Sequence, residues 1–195
     1  MVQPILSART GNTIGYELLM RTDEPELPTP RVVLKLASAE GKLQHIERLT
    51  WFKGLETAAY LLRISAVAPD AMFFLNSIAN QALSREEERD IENRFSALLP
   101  RVVVEVTEGE RNDQNCTDQK IRFVKNHGGK IAIDDYGTGY NSELALVKID
   151  ADIVKLDISF VHDVDKDADK QALIQNLISY ARRRGISVLA EGVET

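Results

Sequence analysis

What most constrains the fold of this chain is a repeated switch of hydrophobic period. Short apolar runs alternate with longer stretches whose apolar residues recur at helical spacing. Met72 to Leu75, Val102 to Val106, Lys130 to Ile133, Ile153 to Leu156 and Ile186 to Leu189 read as strands. Helices are predicted over Lys42 to Ile64, from the capping-box pair Ser84 and Glu87 to about Leu99, near Thr117 to Asn126, and from about Lys166 to Arg184. Gly128-Gly129 and Gly185 are stop signals for the last two. At the front, Val2 to Ala8 and Ile14 to Met20 are joined through Gly11-Asn12 and predict a hairpin, and the proline-rich stretch Asp23 to Pro30 predicts an irregular connection.

Strands that alternate with helices pair in parallel, and runs that are apolar throughout are covered on both faces. An α/β barrel and a doubly wound sheet both satisfy this pattern. No G-x-G-x-x-G or P-loop fingerprint follows the early strands, which weakens the dinucleotide-binding option. With 195 residues, no linker and no low-complexity tract, the chain reads as one domain over 1–195, somewhat short for an eight-stranded barrel of roughly 250 residues.

The net charge of -6 argues against loose binding to long nucleic acids or anionic membranes, which needs clustered Lys and Arg. A small anionic substrate remains compatible, because bound cations reverse a local field. Cys116 has no partner for an internal disulfide, and no secretory or spanning segment is read, so a reduced, cytoplasmic setting is expected. Membrane attachment of a parent protein through other domains stays open.

Beyond the first, the strand candidates share one feature: each carries or ends on a potential metal ligand. These are Glu17, Asn76, Glu105, Asp134 with Asp135, Lys155 with Asp157, and Glu191. Strand C-terminal ends meet on one face of an α/β barrel, so the recurrence says more than any single carboxylate. Period-two alternation places Val103 with Glu105, Ala132 with Asp134, and Ile153 with Lys155 and Asp157 on common strand faces. Converging carboxylates repel by about 4 kcal/mol per pair at 4 Å and an effective dielectric near 20, so cations or raised pKa values are required. An oxygen-rich set without His or Cys suits Mg²⁺ or Mn²⁺ better than Zn²⁺. The adjacent Asp134 and Asp135 are a natural bridge between two ions, and two-ion sites commonly run in-line phosphoryl displacement.

Blander readings stand beside these. A single carboxylate at a strand end is most often a helix cap or a solvated group, Asn76 alone suits a turn, and Lys155 with a carboxylate suits a structural ion pair. His45, His127 and His162 fall outside the constellation, Trp51 reads as core, and nothing near Cys116 supports reactivity.

These motifs, in this order, resemble the EAL-domain family of cyclic di-GMP phosphodiesterases. Gln3-Pro4-Ile5 looks like the family's opening, and Glu17-Leu18-Leu19-Met20-Arg21 is similar to its E-A-L-x-R signature with Leu for Ala. Asn76, Glu105-Val106-Thr107-Glu108, Asp134-Asp135-Tyr136-Gly137-Thr138-Gly139-Tyr140, Lys155-Leu156-Asp157 and Glu191-Gly192-Val193-Glu194 follow. The resemblance implies a modified TIM-type (β/α) barrel with an antiparallel first strand. The family pattern continues through a further helix, a last strand bearing a substrate-site Gln and a closing helix, so it also implies a domain incomplete at its C-terminal end.

The implied activity is hydrolysis of cyclic di-GMP to linear pGpG in bacterial signalling. Carried over by motif, Glu17, Asn76, Glu105 and Asp134 hold one Mg²⁺ or Mn²⁺, and Asp134 with Asp135 contributes to a second. Lys155 acts on the attacking water, and Glu191 and Glu194 form the late acidic motif. Gln3, Leu19, Arg21 and Asp157 belong to the substrate pocket, while Glu108 anchors the glycine-containing loop. Association into a homodimer through barrel-flanking helices suits the family. A noncatalytic module binding cyclic di-GMP or a protein partner is the rival reading; loss of ligands is its usual mark, and here they are retained. Tyr136 in place of the usual Phe, and Asn141 and Glu143 after the loop, remove no ligand.

Overall fold

The structure is a computed structural model that describes residues 1–27, 29–107, 114–138 and 142–193. Its frame is one seven-stranded sheet whose spatial order repeats the chain order, β1 (Val2–Leu6), β2 (Thr13–Leu18), β3 (Met72–Asn76), β4 (Val102–Thr107), β5 (Lys130–Tyr136), β6 (Ile153–Leu156) and β7 (Ser187–Ala190). β1 and β2 are antiparallel; every later pairing is parallel. β1 is an edge strand, where Pro4 deprives no neighbour of a ladder donor. The family-based expectation of an antiparallel first strand therefore holds.

Helices fill the crossovers. α1 (Pro30–Ala39) and α2 (Leu43–Arg63) join β2 to β3, α3 (Arg85–Phe95) joins β3 to β4, and α4 (Gln114–Asn126) precedes β5. α5 (Ser142–Lys148) precedes β6, and the short α6 (Ile158–Val161) and α7 (Ala168–Arg184) precede β7. Helix α1 is absent from the sequence reading; its start is marked by Thr29, whose hydroxyl caps Val32 N, followed by Pro30 at the first helical position. The capping box at Ser84 and Glu87 forms as expected, but α3 stops at Phe95 and gives way to a 3₁₀ turn at Leu99–Arg101.

Alternation sorts the strand residues between two environments. Val102, Val104, Val106, Phe73, Leu75 and Ile131 pack with Trp51, Leu55 and Phe123 beneath the helices. On the opposite face Phe74, Val103, Ala132 and Ile153 pack together, with Leu189 against them. Two residues further along each of those strands stand Asn76, Glu105, Asp134, Lys155 and Glu191. The apolar layer is thus capped, strand by strand, by a polar one at the C-terminal ends.

Candidate active site

Lys155 is the centre of this polar layer. Its Nζ lies 2.6 Å from Glu105 Oε1, 2.8 Å from Glu191 Oε1, 2.9 Å from Asp134 Oδ1 and 3.5 Å from Glu17 Oε1. Its side chain is 1% exposed, as is that of Glu105. Burial alone would depress the ammonium pKa, but Glu105, Asp134 and Glu17 more than reverse this and hold it above the ordinary lysine value. One cation is therefore shared among four acids, and Asp135 brings a fifth close by.

The acids feel the shortage. Burial pushes the Glu105 carboxyl up to about 8, against the lowering pull of Lys155. Burial also raises Glu191, and Asp135 is raised by burial and then by Asp134. Charge proximity and hydrogen-bond direction diverge here. Lys155 Nζ is close to Glu105 and Asp134, yet neither oxygen of Glu105, nor Oδ1 of Asp134, accepts a well-directed hydrogen bond. The short distances establish the ion pairs, while the directions leave buried carboxylate lone pairs free for another cation.

Strand irregularity brings in Asp135. Its φ of 53° is left-handed, and the β5–β6 register shifts between Ile133 and Tyr136. In a regular strand Asp135 would face away from Asp134; the kink instead puts oxygens of Asp134, Asp135 and Glu191 within 4.8 Å of one another. The bend lets the adjacent acids share neighbouring positions, and β5 runs on to Tyr136 rather than ending at Ile133. The donor set of carboxylates and one amide, two of its carboxylates buried with oxygens lacking directed partners, fits a hard divalent cation.

The remaining expected site residues distribute as follows. Asn76 donates from Nδ2 to Glu17 Oε1 at 3.4 Å and belongs to the cluster. Gln3 pairs with Glu17 in the β1–β2 register, while Leu19 exchanges backbone hydrogen bonds with Met1. The Arg21 guanidinium donates to the Met20 carbonyl at 2.6 Å and is exposed. Asp157 caps α6 by accepting from Ser159 N at 2.8 Å, and the Ser159 hydroxyl, followed by the Ser159 and Ile158 backbone, holds its carboxyl below the usual range. Glu108 and Glu194 lie outside the described residues. Trp51 is core, as expected, and Cys116 is half-buried on α4.

Sequence reasoning missed the structures that brace the site. Glu47 and Lys120 are almost fully buried and hold the turn after Asn76. Phe160 and Ile158 of α6 pack against Gly137 and Gly192, in the turns that follow Asp135 and Glu191. The sequence signal for α6 was the Asp157-Ile158-Ser159 start, where an Asx cap opens a single helical turn.

Comparison with known proteins places this arrangement. The pattern of the EAL domain family matches residues 1–195. The cyclic di-GMP phosphodiesterase PdeL of Escherichia coli K12 is 30% identical across 100% of this chain and 55% of its own length. The structure of a standalone versatile EAL protein from Vibrio cholerae O395, bound to c-di-GMP, superposes with a TM-score of 0.80 at 25% identity, covering 100% of this chain and 80% of that one. The manganese/cy-diGMP complex of Klebsiella pneumoniae BlrP1 gives 0.78 at 25% identity, over 100% of this chain and 49% of that one. The chain spans only 39% and 55% of the lengths of two of its curated relatives.

Proposed function

The chain belongs to the EAL domain family, and from that premise we propose that it hydrolyses one phosphodiester of cyclic di-GMP, giving linear pGpG, with divalent cations held by the polar layer. The observation that carries this is the convergence of four carboxylates on one buried lysine, with Glu105 left without a directed donor. A set of acids so close must either take up protons, as the raised pKa of Glu105 indicates, or gain more positive charge than Lys155 supplies, and divalent cations would supply it.

Glu17, Asn76, Glu105 and Asp134 are the residues that would hold one Mg²⁺ or Mn²⁺, and Asp134 with Asp135 would contribute to a second. Bound there, such ions supply Lewis-acid stabilisation of phosphoryl oxygens and a more acidic water. Lys155, kept protonated by its surroundings, holds the attacking water by donation and offsets negative charge on the phosphoryl oxygens. Glu191 and Glu194 are the acids left to accept the water's proton. Arg21, whose Nη1 donates to the Met20 carbonyl, has further guanidinium donors to offer a phosphate, and Gln3, Leu19 and Asp157 border the same end of the sheet. The apolar layer of Phe74, Val103, Ala132 and Ile153 seals the site from below.

The test is incubation of the chain, and of Glu105→Gln, with cyclic di-GMP and Mn²⁺, with products separated by chromatography. The parent chain should form pGpG. The variant should stay folded while its turnover drops by roughly 100-fold or more, the scale of losing one preorganised electrostatic group in a dry site. Near-normal turnover by the folded variant would sink the assignment.

A further inference from the structure

Away from the polar layer, a second pair of opposite charges is buried between helices. Glu47 of α2 is 0% exposed and Lys120 of α4 is 3% exposed, and their closest atoms, Glu47 Oε1 and Lys120 Nζ, are 3.7 Å apart. Burying two charges is expensive and a pair of this kind adds little net stability over apolar side chains of the same size. Its hydrogen bonds suggest another use. Glu47 Oε2 accepts from Ile78 N at 2.6 Å, while Lys120 Nζ donates to Ile78 O at 2.6 Å. The two charges therefore grip both backbone groups of one residue, two positions beyond Asn76.

The grip continues into the site. Lys120 Nζ also donates to Ser77 Oγ at 3.1 Å, and that hydroxyl donates to the Glu105 carbonyl at 2.9 Å, which also accepts from Ser77 N at 3.2 Å. Trp51 Nε1 donates to Glu47 Oε1 at 3.0 Å and fixes the carboxylate from its own helix. We propose that Glu47, Lys120 and Ser77 are positioning residues that lock the turn after β3 to β4 and so set the spacing between the candidate ligands Asn76 and Glu105. A pair of apolar side chains could fill the same volume, but it could not satisfy an irregular backbone at this point.

The proposal rests on the cation-binding reading above, and its test separates the two. Metal-free protein is titrated calorimetrically with MnCl₂, and amide hydrogen exchange is followed at Ile78, for the parent chain, Ser77→Ala, Glu47→Gln and the α3 cap variant Ser84→Ala. Ser77→Ala and Glu47→Gln should weaken Mn²⁺ binding by about 10- to 100-fold, the usual consequence of losing a residue that orients a ligand. Exchange at Ile78 should accelerate in Glu47→Gln. Ser84→Ala should lower thermal stability and leave Mn²⁺ affinity unchanged. If the parent binds Mn²⁺ and both site-proximal variants bind it equally well while losing only stability, the positioning role is overturned and the hydrolase reading survives. If the parent binds no Mn²⁺, both fall. Should Glu47→Gln fail to fold, Ser77→Ala decides alone, since it removes one hydroxyl and no charge.

Discussion

A lysine at 1% side-chain exposure, touching four acids, makes the state of the site inseparable from its stability. Lys155→Met should destabilise the metal-free protein by about 3–5 kcal/mol, because it leaves buried carboxylates without a counter-charge. Mn²⁺ should recover part of that loss, since an ion can replace the missing charge. Denaturant unfolding with chelator and with MnCl₂ checks both halves, and a variant as stable as the parent in chelator would contradict the ion-pair account. Glu105 adds a pH dependence. Its folded pKa is raised by burial to about 8 from 4.5, so in chelator the folded state binds the extra proton. The stability this contributes is fully present below pH 4.5 and is lost as pH rises toward 8. Denaturant midpoints measured across that window should fall with pH, and Glu105→Gln should flatten the slope.

At the scale of elements, the two turns that follow Asp135 and Glu191 are wedged by one short helix. Gly137 has φ 105° and Gly192 φ 64°, and a Cβ on either would collide with the Phe160 ring or with Ile158. Gly137→Ala should cost about 1–3 kcal/mol of backbone strain and should displace Asp135, lowering turnover more than substrate affinity. Steady-state kinetics on cyclic di-GMP beside a melting curve would show this, and wild-type kcat in a folded variant would refute the wedge. Such features explain what sequence reading could and could not reach. Strands β3, β4 and β6 were legible because Phe73 to Leu75, Val102 to Val106 and Ile153 to Leu156 are apolar on both faces. The polar layer was legible because Glu105 and Lys155 interrupt such runs. The apolar pattern of β5 ends at Ile133, since the consecutive acids Asp134 and Asp135 carry no strand propensity and are held in the strand by its neighbours. α5 and α6 span too few residues for a periodic pattern to register. Glu47 looked like any charged residue on a long helix; its burial comes from α4 and the β3 turn, which local sequence does not encode.

For the molecule as a whole, among the described residues the sheet has two edges, β1 and β7, each with one neighbour. Open edges expose N–H and C=O groups to other chains. Dynamic light scattering of the 195-residue chain by itself should show an apparent mass that grows with concentration, and a mass independent of concentration would mean that the edges are protected. The same sheet order has a consequence for biosynthesis. Since each strand lies beside the one made just before it, the sheet can be laid down in the order in which a ribosome releases it. Glu17, Glu105 and Asp134 emerge first, whereas Lys155, which meets Glu17 across 138 residues of chain, emerges after all three. A nascent chain that has released β5 but not β6 carries these acids without the lysine that pairs them, so the polar layer can close only after β6 has been made.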